Sequence, residues 1–238
     1  MKILALGDIH GRPIWKSILE NETFDKVVFI GDYFDSRDER LISATDQIKN
    51  FNEIIAFKKA NHDNVILLTG NHDFQYLPDS WETYSGFQKY RQKDIREAIK
   101  APFEEQLLQM CWTHANMLFS HAGVTRTWCK ENAINTDLLA DNINELFWSQ
   151  PHRFGFTTGQ KNDNRGDEPE QPPTWVRPDS LAVDKIPGYF HIVGHTMQDN
   201  LRIKNDIVLI DTLGTSREYL VVENGEMYPQ TAPPPAGG

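Results

Sequence analysis

Six residues of types that bind metal ions lie directly after apolar runs, each within two positions of a glycine. They are Asp8, His10, Asp32, Asn71, His121 and His195. Carboxylate oxygen, amide oxygen and imidazole nitrogen form a mixed donor set that suits Mn²⁺, Fe or Zn²⁺. Six donors exceed the needs of one ion, whereas two ions that share a carboxylate would use them all. The set therefore indicates a site for two divalent ions.

Each of these residues, taken singly, could have a purely structural role in place of metal binding. The segment 31–37 (Gly-Asp-Tyr-Phe-Asp-Ser-Arg) could be an ordinary turn with surface charges, and a lone histidine is more often part of a core. The repetition of apolar run, glycine and ligand-type residue favours a shared site over coincidence. Asp8 and His10, one residue apart at a strand end, can point the same way and bind one ion.

The elements that carry these residues are predicted by the apolar pattern. Apolar runs that end at or near a glycine predict strands at 2–6, 27–30, 65–69, 117–120 and 190–193, and the run 27–30 combines β-branched and aromatic residues. Helical spacing predicts helices at 13–20, 40–60, 88–110, 124–131 and 136–148, the second with an apolar stripe of Leu41, Ile48, Phe51 and Ile55. The segments 207–211 and 218–223 read as the two last strands. Alternating strands and helices predict an α/β fold with a parallel or mixed sheet, where ligands bind at the carboxyl ends of the strands.

Length and composition favour one globular domain. We expect residues 1–230 of the 238 to form it and residues 231–238, rich in proline and glycine, to be a disordered tail. A formal net charge of −10 makes a nucleic-acid partner unlikely. Two cysteines, Cys111 and Cys129, suit a reducing cytosol, and no apolar run is long enough to span a membrane. We expect a cytoplasmic protein, or one of the host cytoplasm for a bacteriophage chain.

Two segments interrupt the alternation. Residues 74–112 are rich in aromatic side chains, including Trp81, Tyr84 and Phe87, and either pack a core or form a helical cap over the site. Residues 151–174 are rich in Gly, Pro, Asn and Asp, and a loop of this length inside a domain is usually functional or mobile.

Five short motifs, taken together, resemble those of the calcineurin-like metallophosphoesterases. They are Gly7-Asp8-Ile9-His10-Gly11, Gly31-Asp32-Tyr33-Phe34-Asp35, Gly70-Asn71-His72-Asp73, His121-Ala122-Gly123 and Gly194-His195-Thr196. In detail they are similar to bacterial and bacteriophage Ser/Thr phosphoprotein phosphatases and to symmetrical dinucleoside tetraphosphatases. Met197 occupies the place of a second histidine ligand in other branches, which favours the phosphatase branch. The resemblance implies a four-layer αββα sandwich of two mixed sheets flanked by helices.

The resemblance also implies residue roles. Asp8 and His10 would hold the first metal, Asn71, His121 and His195 the second, and Asp32 would bridge them. Mn²⁺ is the expected ion, with Fe, Zn²⁺ or Mg²⁺ as alternatives. A hydroxide shared by the metals would attack phosphorus, with His72 as the general acid and Asp35 as its partner. Arg177, in the segment Trp175-Val176-Arg177, would bind the substrate phosphate.

One position departs from the family pattern. Relatives carry a phosphate-binding arginine directly after the second aspartate of the Gly-Asp motif, whereas this chain has Ser36 there and Arg37 one place later. Arg37 is therefore either a second phosphate ligand or a surface residue.

The resulting hypothesis is a phosphomonoesterase acting on a phosphoprotein or a small phosphorylated compound. A dinucleoside polyphosphate hydrolase or nucleotide phosphodiesterase with the same metal centre is the alternative. A catalytically idle scaffold is a third interpretation, which the intact set of assigned residues disfavours. Composition and motifs leave the oligomeric state undetermined.

Overall fold

A computed structural model describes residues 1–36, 41–78, 80, 82–159, 163 and 165–234. The strands are β1 Lys2–Leu6, β2 Lys26–Phe29, β3 Val65–Leu68, β4 Leu108–Gln109, β5 Cys111–His114, β6 Met117–Ser120, β7 Phe190–Val193, β8 Arg202–Lys204, β9 Ile207–Leu209, β10 Glu218–Glu223 and β11 Glu226–Thr231. The α-helices are α1 Ile14–Asn21, α2 Ala44–Ala60, α3 Asn71–Phe74, α4 Gln92–Glu104, α5 Arg126–Glu131, α6 Leu139–Ser149 and α7 Pro178–Asp184. Short 3₁₀ helices span Thr136–Leu138 and Pro151–Phe154.

The strands form two mixed sheets. The first has the order β11-β10-β1-β2-β3-β4, in which β1 to β4 are parallel and the β10–β11 hairpin adds antiparallel strands at one edge. The second has the order β5-β6-β7-β9-β8, with β6, β7 and β9 parallel. The predicted α/β fold with two mixed sheets flanked by helices is confirmed.

Alternation along the strands divides the core into layers. In β1, Ile3 and Ala5 share a buried cluster with Phe119 and Ile192 of the second sheet, so these faces meet. The intervening residues of β1 pack in another cluster with side chains of α1, α2 and α4. Since successive side chains on a strand point to opposite faces, one face of the sheet contacts the other sheet and its opposite face contacts helices.

The structure corrects several element predictions. The segments 207–211 and 218–223 contain β9 and β10, but these lie in different sheets, and β11 follows as the last strand. Leu41, expected in the apolar stripe of a helix, precedes α2 and is 79% exposed. The short strands β4, β5, β8 and β11 were not predicted, because two to six residues with mixed side chains lack a clear apolar period.

The described parts of the aromatic-rich segment and of the chain end belong to the fold. Within residues 74–112, α4 packs against the core through Ile95 and Ile99, and the last residues enter β4 and β5. Trp81 lies outside the described residues. Thr231 ends β11 and Ala232 is buried, so the predicted tail cannot begin at residue 231. No helix in the described part of the chain has the length and apolar character to cross a bilayer.

Candidate active site

Five strands from both sheets deliver the predicted ligands to one edge. Asp8 follows β1, Asp32 follows β2, Asn71 follows β3, His121 follows β6 and His195 follows β7. All five strands run parallel to a neighbour within their sheet, so their carboxyl ends gather at the same side. The edge shared by both sheets is therefore the candidate site.

Four residues of this edge have left-handed backbone conformations. The φ angles are 44° at His10, 52° at Asp32, 59° at Asp35 and 62° at His195. Non-glycine residues seldom adopt this region, and such strain concentrates at functional sites. The conformation turns the chain sharply after each strand and keeps the polar side chains in the cluster.

Two glycines allow the strand ends to approach one another. A Cβ atom at Gly194 would lie 2.0 Å from the Oδ1 atom of Asp8, and one at Gly70 would lie 2.0 Å from the Oδ1 atom of Asp32. Since no Cβ atom fits at these distances, only glycine permits both carboxylates their observed positions.

The donor atoms form one buried cluster. Ligand atoms of Asp8, Asp32 and His121 lie within 4.8 Å of one another, and all three side chains are buried. The Nε2 atom of His10 lies 3.7 Å from Asp32 Oδ2 and 4.0 Å from Asp8 Oδ2. The Oδ1 atom of Asn71 lies 3.1 Å from His121 Nε2. The structure thus brings the six predicted ligands together.

The hydrogen bond of His10 determines which of its two ring nitrogens carries the proton and which presents a lone pair to the cluster. Its Nδ1 atom is 2.7 Å from the carbonyl oxygen of Phe34, which can only accept, so Nδ1 carries the proton. Burial lowers the pKa of His10 to about 4, which keeps the ring neutral near pH 7. Its Nε2 lone pair therefore faces the carboxylates of Asp8 and Asp32.

His121 and His195 repeat this arrangement around Asn71. His121 donates from Nδ1 to the carbonyl of Ile30 at 3.0 Å, and His195 donates from Nε2 to that of Trp175 at 3.1 Å. The other nitrogen of each ring faces Asn71 Oδ1, at 3.1 Å and 2.9 Å. Burial lowers the pKa of both histidines. A ring nitrogen without a proton and the Asn71 oxygen both carry lone pairs, so they repel each other. A metal cation between them would be coordinated by both atoms. This donor set therefore fits divalent metal ions.

The two carboxylates of the cluster differ in their electrostatic surroundings. Burial raises the pKa of Asp8, and the nearby carboxylates of Asp211 and Asp32 raise it further. Burial would also raise the pKa of Asp32, but the imidazoles of His121, His72 and His10 hold it below its usual range. Two buried carboxylates this close repel each other unless positive charge lies between them.

His72 and Asp35 form a pair beside the cluster. The Nδ1 atom of His72 lies 3.0 Å from Asp35 Oδ2, and its side chain is 17% exposed while that of Asp35 is fully buried. Burial would lower the pKa of His72, but the carboxylates of Asp32 and Asp35 raise it above its ordinary value. The backbone N–H of His72 donates to Asp32 Oδ1 at 2.9 Å, which connects the pair to the cluster.

Arg177 lies at the rim of the same edge. Its Nη1 atom donates to the His195 carbonyl at 3.2 Å and to Thr196 Oγ1 at 3.1 Å, and its Nε donates to the carbonyl of Arg165. Arg37, the other predicted phosphate ligand, lies outside the described residues.

Asp73 organises the site, although no role was predicted for it from the sequence. Its carboxylate accepts the N–H groups of Asp32 and Tyr33 at 2.7 Å and that of Gly70 at 2.9 Å. Asp73 thereby connects the loop after β2 to the start of α3. An acidic residue in the first turn after a glycine is a helix-start signal that could have identified it.

A cleft of about 1020 Å³ adjoins the cluster through Trp175, Arg177 and Thr196. Tyr84 and Phe156 contribute aromatic walls and pack edge-to-face on Trp175, with ring centroids 4.5 Å and 5.2 Å away. The long loop predicted as functional or mobile, residues 151–174, contributes Phe156, Asp163, Arg165 and Asp167 to this lining.

Charged residues of both signs line this cleft. Its carboxylates are Glu82, Asp163, Asp167 and Asp179. Its cationic side chains are Arg165 and Arg177. Among the described residues of this lining, carboxylates therefore outnumber arginines, and Arg177 stands at the end nearest the metal ligands.

Similar proteins are found by sequence. A curated relative from Nitrosospira multiformis, described as a symmetrical bis(5'-nucleosyl)-tetraphosphatase, is 25% identical over 166 residues, which cover 65% of this chain and 54% of the relative. The match therefore spans about half the length of that relative.

Solved structures share the fold. A protein serine/threonine phosphatase from Saccharomyces cerevisiae with similarity to human phosphatase PP5 is matched with a TM-score of 0.55 at 12% identity, over 98% of this chain and 81% of that one. A metallophosphoesterase from Sphaerobacter thermophilus is matched with a TM-score of 0.50 at 14% identity, over 94% of this chain and 84% of that one.

The family assignment rests on the extent of the sequence match. The sequence profile of the calcineurin-like phosphoesterases matches residues 1–199, which contain every predicted ligand as well as His72, Asp35 and Arg177. This chain belongs to the calcineurin-like phosphoesterase family.

Proposed function

We propose that this protein is a metal-dependent phosphoesterase that hydrolyses a phosphomonoester, as Ser/Thr protein phosphatases do. The observation that carries the proposal is the set of three neutral histidines whose lone pairs face carboxylate and amide oxygens beside the His72–Asp35 pair. Members of this family use a dinuclear divalent metal centre.

The metal ligands in this proposal are the six residues of the cluster. They are Asp8, His10, Asp32, Asn71, His121 and His195. Two divalent ions bound there would coordinate phosphate oxygens and lower the pKa of a water molecule that attacks phosphorus. Mn²⁺ is the ion we expect, and Fe and Zn²⁺ also suit this mixture of carboxylate, amide and imidazole donors.

His72 is the proposed general acid. Asp35 accepts from Nδ1, so Nε2 is left to donate a proton to the departing oxygen. The exposed part of the His72 ring gives this proton a route to substrate. Asp35 orients the ring and stabilises its charged form.

Arg177 is the proposed ligand of the substrate phosphate. Its hydrogen bond to the carbonyl of His195 holds the guanidinium next to a proposed metal ligand. A planar guanidinium can bind two phosphoryl oxygens at once, which positions the phosphate for attack.

The alternative function is hydrolysis of a dinucleoside polyphosphate, which the description of the Nitrosospira multiformis relative supports. The described part of the cleft disfavours it, because four carboxylates against two arginines repel a polyanionic substrate. A phosphomonoester on a neutral or basic peptide carries less negative charge than a polyphosphate and would be repelled less, so phosphoprotein is the preferred substrate class.

Metal dependence tests the proposal directly. Removal of divalent ions with a chelator should abolish hydrolysis of 4-nitrophenyl phosphate, and addition of Mn²⁺ should restore it. Turnover that persists after complete metal removal would contradict the proposal.

A substrate panel separates the two functions. The panel compares 4-nitrophenyl phosphate, bis-4-nitrophenyl phosphate, a phosphothreonine peptide and diadenosine tetraphosphate under identical Mn²⁺ conditions. We expect the highest kcat/KM for the monoesters. A kcat/KM for the tetraphosphate that exceeds that of both monoesters would favour the alternative.

A further inference from the structure

We infer that Tyr76 and Gln88 are positioning residues for the His72–Asp35 pair. Both come from the segment after α3, in which sequence analysis expected only core packing or a cap. This inference rests on the proposed function, because it concerns how the general acid is held.

Within the described part of the chain, Asp35 receives four side-chain donors, two on each carboxylate oxygen. Tyr76 donates its hydroxyl to Oδ1 at 2.6 Å, and Gln88 donates from Nε2 to the same oxygen at 3.0 Å. On the other side, His72 Nδ1 and Gln75 Nε2 meet Oδ2. These donors therefore fix the orientation of the carboxylate whose Oδ2 atom accepts from His72.

The carboxylate of an aspartate needs hydrogen-bond partners to keep one orientation. The last torsion of an aspartate side chain joins sp³ and sp² carbons, and its energy profile is broad, so the group rotates easily unless it is held. Rotation of Asp35 would move Oδ2 away from His72 Nδ1 and release the imidazole. Tyr76 and Gln88 hold Oδ1, which fixes Oδ2 on the opposite side of the same plane.

Gln88 is itself fixed by acceptors. Its Nε2 atom donates to Gln47 Oε1 at 3.0 Å as well as to Asp35 Oδ1, so the amide nitrogen and not the oxygen must face both groups. Gln47, in α2, is oriented in turn by donation from its own Nε2 to the carbonyl of Ile42. The backbone N–H of Gln88 donates to the hydroxyl of Tyr76 at 2.8 Å, which joins the two positioning residues.

Burial makes this network rigid. Tyr76 and Gln47 are fully buried, Gln88 is 8% exposed, and the ring of Tyr76 stacks on Phe87 with centroids 5.1 Å apart. Because water has little access to Asp35, it cannot replace a lost donor without rearrangement. Loss of one partner should therefore loosen the carboxylate and reduce proton donation by His72.

The dependence of rate on the leaving group tests this inference. An acidic phenol leaves without help, whereas an alkoxide needs a proton from the general acid. For Tyr76→Phe we expect kcat to fall about tenfold to a hundredfold on a phosphothreonine peptide. On 4-nitrophenyl phosphate the same variant should remain close to the wild-type rate, with unchanged metal content. An equal loss on both substrates would mean a purely structural role and would overturn the inference.

Tyr219→Phe is the matched control. Tyr219 is also a buried tyrosine whose hydroxyl donates to a carboxylate, that of Glu22, at 2.8 Å in another part of the fold. We expect this variant to lose stability but to show no selective loss on the peptide. A selective loss there would show that the leaving-group effect is not specific to the Asp35 network.

Gln88→Met tests the same point if Tyr76→Phe does not fold. Methionine keeps the length of the side chain and removes the donor to Asp35, so the selective loss on the peptide should recur. A folded Gln88→Met with wild-type rates on both substrates would overturn the inference. If the wild type with Mn²⁺ hydrolyses neither the phosphothreonine peptide nor 4-nitrophenyl phosphate, the proposed function is overturned, and this inference with it.

Discussion

The backbone N–H of His195 donates to the carboxylate of Asp8 at 3.1 Å, although the two residues are 187 positions apart in the chain. Asp8 follows β1 of the first sheet, and His195 follows β7 of the second. This contact therefore joins the two sheets at the candidate metal site. It requires the absence of a side chain at Gly194, where a Cβ atom would collide with Asp8.

Gly194→Ala should therefore reduce metal affinity. The added Cβ atom would lie 2.0 Å from Asp8 Oδ1, so the carboxylate has to move out of the cluster. We expect lower metal content after dialysis against limiting Mn²⁺, measured by elemental analysis. Gly188→Ala is the control, because that glycine has a φ of +84° but no atom within 4 Å of an added Cβ. It should lose some stability and keep its metal, and equal metal loss in both variants would contradict the prediction.

His72→Ala should reduce turnover far more than it reduces metal content. A general acid contributes about a hundredfold to ten-thousandfold in rate, whereas the six predicted ligands remain in this variant. Parallel assays of kcat on a phosphothreonine peptide and of bound Mn²⁺ measure the two effects. Equal loss of both would mean that His72 is a metal ligand and not the acid.

Asp73→Asn should destabilise the fold. The carboxylate accepts three buried N–H groups, and an amide in its place removes one acceptor oxygen and directs a donor at donors. A buried donor without a partner costs about 1–3 kcal/mol, which denaturant unfolding of the metal-free protein can measure. Asp63→Asn, at a side chain that is 94% exposed, should change stability little. A destabilisation no larger than that of this control would contradict the prediction.

His191 should make stability depend on pH. Burial lowers the pKa of this histidine to about 4 from an ordinary value of 6.5, so the native state resists a proton that the unfolded state accepts. The contribution of neutral His191 to the free energy of unfolding is fully present above pH 6.5 and decreases as the pH falls toward 4. Between pH 7.5 and 5 this histidine should remove about 2 kcal/mol from the free energy of unfolding.

Unfolding of His191→Gln isolates that contribution. The wild type and the variant share all other titrating groups, so the difference between their unfolding free energies at each pH reports His191 alone. We expect this difference to change by about 2 kcal/mol between pH 7.5 and 5. A difference that is independent of pH would show that His191 is protonated equally in both states.

Much of the site was predictable because its signals are local. Asp8, Asp32 and His195 each follow an apolar run and a glycine, and a strand that ends in glycine can be identified from neighbouring residues alone. The same local signals predicted five core strands and four helices with bounds within four residues of those observed. The helix predicted at 88–110 was too long, because α4 ends at Glu104 and residues 108–109 form β4. Strand–helix alternation then predicted a parallel or mixed sheet, and the family resemblance implied two mixed sheets.

The hydrogen-bond partners of the site residues could not be predicted from short sequence patterns. Asp35 meets Tyr76 and Gln88 from 41 and 53 positions away, and neither a tyrosine nor a glutamine in an aromatic-rich segment indicates a role. The helix-start signal at Asp73 is local, but its acceptance of the N–H groups of Asp32 and Tyr33, about 40 positions earlier, is not visible in the sequence.

The sequence by itself determined which residue types stand at the ends of the strands and hence the metal chemistry they could support. Tertiary structure alone decided which nitrogen of each histidine faces the cluster, because carbonyls from Phe34, Ile30 and Trp175 hold the other nitrogen. It also decided how Asp35 is held beside His72. The physical reason is that periodicity and turn chemistry act over a few residues, whereas hydrogen-bond partners are chosen by the packing of two sheets against each other.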